Sequence, residues 1–197
     1  MQTKDMISAY NALTPAEQAV FQKQTGLILK PKSTKFQRTN IIVSCEANAE
    51  TYTQSDIYKM LVESGQFSKN CVDSCIADYR FDGNPNQSYA GCAGVSGIVD
   101  KFINDIIQRD IIAEGQIFET YLQVNLLQGA LLAIELVKSG AVNEKGKGII
   151  IYLTETINGI SSRLGVWNLD NNKVGVSLHD VYLNGECDAG NGVLSGN

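Results

Sequence analysis

The chain has 197 residues, 44% of them hydrophobic and 19% charged, a balance that supports one sizeable core and excludes a disordered or fibrous polypeptide. With 16 basic against 21 acidic residues, it offers no cationic footprint for a phosphate backbone or an anionic membrane, so nucleic acid is not an expected partner. The low charged fraction beside plentiful Gly, Asn and Tyr tilts the expectation toward an exported or surface-displayed protein, although no basic segment followed by an apolar one marks a signal peptide.

Residues 1–13 carry Met6, Ile7, Ala9, Tyr10 and Leu13 at helical spacing. Thr14-Pro15-Ala16-Glu17 then supplies a helix cap, a proline at the first helical position and a carboxylate that reaches back to the cap. That helix runs through Val20 and Phe21 to Gly26. The basic stretch over 27–40, interrupted by Pro31, reads as loop or edge strand, and 41–45 as a strand. Thr53 or Ser55 caps a helix with Ile57, Met60, Leu61 and Val62. Ser68 caps a shorter one with Cys71, Val72, Cys75 and Ile76. Residues 79–94 are dense in Gly, Asn and Pro and predict a long surface loop.

Ser96 opens a predicted helix through Ile98, Val99, Phe102, Ile103, Ile106 and Ile107 to about residue 113. The most apolar stretch follows at 116–138. Its apolar positions cover more than one helical face, which predicts an enclosed central helix. Glu119, Gln123, Asn125, Gln128 and Glu135 interrupt it short of the ~18 to 20 apolar residues that a membrane span needs. From 148 the period changes from about 3.6 to 2. Strands at 149–157 and 160–168 flank Asn158-Gly159, a strong hairpin signal, and Asp170-Asn171-Asn172 turns the chain into a third strand. The glycine-rich tail, 184–197, is expected not to hold itself in place. The resulting expectation is a single α+β domain. Its helical part (1–140) surrounds the central helix, and an antiparallel meander (148–183) covers one side.

Several residue sets carry candidate chemistry. Cys92 stands where a glycine-rich loop enters a predicted helix, and His179, the sole histidine, lies in the later strands. A thiol there could serve as nucleophile and the imidazole as base, with Asp180, Asn184 or Asp170 orienting the ring. That order is broadly similar to the order in papain-like and related cell-wall cysteine hydrolases. Five cysteines leave at least one outside any intramolecular pair. Cys45, Cys71, Cys75 and Cys92 are the disulfide candidates, while Cys71 and Cys75 lack the second pair that structural zinc requires. Asp82, Asn84, Asn86 and Ser88 set oxygens at alternate positions, as calcium loops do, but without the glycine and glutamate that complete such loops. Glu155 with Asp170, Asp180 or Glu186 is a conceivable carboxylate pair, and Tyr152 with Trp167 a platform for a sugar ring. No cofactor pattern is present.

The function expected from these features is non-catalytic binding or assembly, with a protein or carbohydrate partner recognised by the meander and the Asn/Gly/Tyr-rich loops. Homo-oligomer formation stays open. The alternatives are a small cysteine hydrolase and a membrane-active toxin that releases its apolar helix.

Overall fold

The structure is a computed structural model that describes residues 13, 14, 17, 20, 21 and 24, then 35–73, 88–117, 122–169 and 173–196. The described elements are, in chain order, β1 (Phe36–Cys45), β2 (Asn48–Thr53), α1 (Gln54–Glu63), α2 (Lys69–Val72), β3 (Ser88–Cys92), β4 (Val95–Phe102), β5 (Ile106–Ile107), α3 (Gln108–Ile117), β6 (Gln123–Val124), α4 (Leu126–Lys138), β7 (Gly148–Ile157), β8 (Ile160–Asn168), β9 (Val174–Asp180), β10 (Glu186–Cys187) and β11 (Gly192–Gly196).

A mixed sheet of seven strands organises them, in the order β1-β4-β11-β7-β8-β9, with β6 also on β7. This corrects the expected helical body around a central helix: the described residues are mostly strand. The apolar run over 95–107 is not helix but β4 and β5. Val99 joins the core on one face of the sheet, and Phe102 joins the core on the other. A strand buried on both faces has an unbroken apolar sequence, which periodicity alone does not separate from a buried helix.

The stretch at 116–138 is likewise divided. α3 ends at Ile117, β6 runs parallel to β7 with Val124 opposite Leu153, and α4 starts afresh at Leu126. Asn125 makes the break. Its side chain accepts from Gln128 N at 2.9 Å, and Gln128 Oε1 accepts from Asn125 N at 3.1 Å, a reciprocal cap on α4. Two polar residues that looked like interruptions of one helix are the start of another. At 13 residues, α4 is only about 20 Å long at 1.5 Å per residue. No described helix is long and apolar enough to cross a membrane.

Local signals elsewhere hold. Thr14 Oγ1 and N both donate to Glu17 Oε2, at 2.7 and 2.8 Å, and the described positions Glu17, Val20, Phe21 and Gln24 are helical. Thr53 caps α1 through Asp56 in the same way. Bonds from the Thr53 hydroxyl and amide hold the Asp56 carboxyl below its ordinary range. Asn158 and Gly159 take φ of 52° and 73°, the left-handed pair of a two-residue hairpin turn between β7 and β8.

The two faces of the sheet bury different partners. On one, α4 sets Leu126, Leu127, Ala130, Leu132, Ala133 and Leu136 against a core that includes Ile149, Ile151, Leu153, Leu164, Val166 and Leu178. Gly129 permits the close approach, since a Cβ there would lie 2.8 Å from Leu153 Cδ2. On the other, Ile106 of β5, Ile111 of α3, Val181 and Cys187 cover Phe36, Phe102, Ile150, Tyr152 and Val193. That cover leaves part of β8 and β9 open, and the cleft described next lies there.

Candidate binding cleft

β8 and β9 pair antiparallel, with Arg163 opposite His179, Gly165 opposite Ser177 and Trp167 opposite Gly175. The intervening pairs, Leu164 with Leu178 and Val166 with Val176, point into the α4 core. A period of two therefore sends the first set to the opposite face. Glycines shape what they build there. The Trp167 indole spans two of them: a Cβ on Gly175 would sit 2.8 Å from Cε2, and one on Gly165 would sit 3.3 Å from Cζ3.

On this face lies a cleft of about 240 Å³, lined by Gly165, with Arg163 and His179 at one end of the strand pair and Trp167 at the other. Glu186, Cys187, Asp188 and Asn191, on the returning chain, form the rim. Asn191 fastens that segment to the sheet by accepting from Gly148 N at 2.8 Å. Beneath it the Cys187 thiol donates to Gln108 Oε1 at 3.7 Å, and the Gln108 amide donates to the Tyr152 hydroxyl.

Two polar atoms of the cleft have no such partner among the described residues. Arg163 Nε and Ser177 Oγ are buried without a hydrogen bond to any of them, and Ser177 as a whole is 1% exposed. An unsatisfied buried donor costs about 1–3 kcal/mol, more when charged, so both groups gain if an acceptor enters.

Neither titrating group of the cleft, Cys187 or His179, is shifted toward its charged form. Burial pushes the Cys187 thiol above its ordinary pKa, and the Arg163 guanidinium beside it only partly offsets the effect. A reactive thiolate needs the opposite shift. Desolvation and then the Arg163 charge lower the His179 pKa, against a smaller opposing effect of Asp180. The ring is therefore neutral at pH 7.

His179 ties stability to pH. The unfolded chain takes up the imidazole proton first as pH falls below the ordinary value of 6.5. The contribution of the neutral ring is complete above that value and is lost as pH drops toward the lowered folded pKa. Urea midpoints measured between pH 7.5 and 5.5 should fall with pH, and His179→Asn should flatten the slope. An equal slope in the variant would assign the effect to other groups.

The structure disperses the other residues singled out by sequence. Cys92 lies on β3, opposite Asn48 of β2, and β3 carries Tyr89 into the core on the α4 side. The large sheet stands between β3 and the cleft that holds His179. Asp180 is paired with Ser162 at the end of β9. Glu155 accepts from Leu126 N at 3.0 Å and so serves the first turn of α4, away from Glu186 at the cleft. Tyr152 is fully buried and has no surface on which to stack a ring, whereas Trp167 lines the cleft. No disulfide joins Cys45, Cys71 and Cys187 to one another. Cys75 and the side chain of Cys92 lie outside the described residues, as do Asp82, Asn84, Asn86 and Asp170. Ser88 pairs with Thr53 between β3 and β2. Among the described residues no group of three His, Cys, Asp or Glu side chains could hold a metal ion.

Arg163, Ser177 and Cys187 escape a reading of motifs because only strand pairing brings them together. Once β8 and β9 are aligned as antiparallel neighbours, alternation alone would place Arg163 and Ser177 beside His179 and Trp167. No protein-family model matches the chain, and no similar curated protein or solved structure was found.

Proposed function

We propose that the protein is a non-catalytic binding protein, and that its recognition site is the face of the β7–β8–β9 meander turned away from α4. The observation that carries this reading is the pair of buried, unsatisfied polar atoms, Arg163 Nε and Ser177 Oγ, in a cleft that Trp167 walls. Polar groups fixed by the sheet, an aromatic wall and room between them are the usual makings of a small-ligand site. The buried Cys187 with its raised pKa favours binding over thiol chemistry.

Trp167 is the sole tryptophan, so its emission reports on the cleft directly. Titration with methyl glucoside, 3-phenylpropionate, phenethylamine and L-phenylalanine should give a saturable shift with at least one of them. Gly165→Val, which fills the hollow between Arg163 and Trp167, should abolish that shift. A shift that survives in the variant, or no shift with any of the four, would overturn the assignment.

A further inference from the structure

Resting on the binding reading, we propose a ligand class for the cleft: a small zwitterion, with a carboxylate, an ammonium group and an apolar or flat side chain, as in a free aromatic amino acid. The unsatisfied atoms fix the first group. Arg163 and Ser177 are diagonal neighbours across β8 and β9, about 7–8 Å apart at the backbone and closer at the side chains. One carboxylate can accept from both.

The rim fixes the second group. Glu186 and Asp188 face the same cleft as Arg163, so with His179 neutral its formal charge is one positive against two negative. A phosphate or other multiply charged anion meets net repulsion there. A carboxylate that brings its own cation does not. Trp167 fixes the third, because its indole, spread over Gly165 and Gly175, offers an apolar wall at the end away from Arg163.

The test ranks defined probes on the unmodified protein by Trp167 emission. L-phenylalanine, which carries all three features, should bind about tenfold or more tighter than 3-phenylpropionate or phenethylamine, each of which lacks one charge. Inorganic phosphate should not compete. Arg163→Gln should weaken L-phenylalanine and 3-phenylpropionate about tenfold and leave phenethylamine unchanged, and Ser177→Ala should act in the same direction but less. Methyl glucoside or phenethylamine binding as tightly as L-phenylalanine, or displacement by phosphate, would overturn the zwitterion class while the cleft remained a binding site. Silence from every probe would remove both. The ranking on the unmodified protein decides even if the Arg163 variant fails to fold.

Discussion

A chain that ends at Asp188 should not fold. The residues removed look dispensable by composition, yet β11 is an inner strand of the large sheet. It pairs antiparallel with β4 from Gly192 opposite Lys101 to Gly196 opposite Gly97, and parallel with β7 through Gly192 and Val193. Without it, the β1–β4 pair loses its place in the sheet beside the β7–β8–β9 meander, β4 becomes a bare edge, and β7 keeps only the two-residue β6 on that side. Leu194, fully buried in the α4 core, and Val193, buried in the core on the other face, leave with it. Those two side chains alone represent about 3–6 kcal/mol of burial, before the broken ladder is counted. A whole domain is typically stable by only about 5–15 kcal/mol. Far-UV circular dichroism and urea unfolding of the truncated chain decide the matter. A native-like spectrum with a cooperative transition would show that β11 is an accessory strand.

That strand also shows where sequence legibility stops. Signals made by neighbours in the chain are readable: the Thr53 and Asp56 cap on α1, the Asn158-Gly159 turn and the alternation of β7, β8 and β9 each depend on a few consecutive residues. The 192–196 segment is short, contains two glycines and finds its partners at 97–101 and 149–150. Nothing local marks it as a strand. The division of 116–138 into α3, β6 and α4 has the same origin. β6 is two residues long, and its pairing with β7 lies 29 residues away. The Asn125 and Gln128 cap is a local signal, but the apolar run on either side of it masks the break.

The site follows the same logic. Trp167 and His179 attract notice as the single tryptophan and the single histidine, whereas Arg163 and Ser177 are ordinary residue types in ordinary strands. What distinguishes them is that Arg163 Nε and Ser177 Oγ are buried with no hydrogen bond among the described residues, which is a property of the assembled sheet. Cys187 draws notice only as one of five cysteines. Its place under the cleft depends on β10 pairing with β5.

The second large effect is expected at the opposite face: Leu132→Ala should cost about 3–5 kcal/mol. Leu132 is fully buried in the core that α4 shares with the sheet. The size of such a loss depends on whether the surroundings can close the cavity. Here α4 is held at both ends. The Asn125 and Gln128 cap and the Glu155 carboxylate fix its first turn. At the other end Ala141 N donates to Leu136 O at 3.1 Å, and Gly140 takes a φ of 72°. Nor has the helix room to settle far toward the sheet, because at Gly129 even an added Cβ would lie 2.8 Å from Leu153 and 3.1 Å from Leu164. The cavity should therefore persist, and the loss should lie in the upper part of the range for leucine truncations. Urea unfolding would show it as a lower midpoint at unchanged slope. Because the sheet separates Leu132 from the cleft, Trp167 emission and ligand response in the folded variant should match those of the unmodified protein. A loss below about 1 kcal/mol would mean that α4 repacks freely. A changed Trp167 response would mean that the sheet does not insulate the cleft from the core behind it.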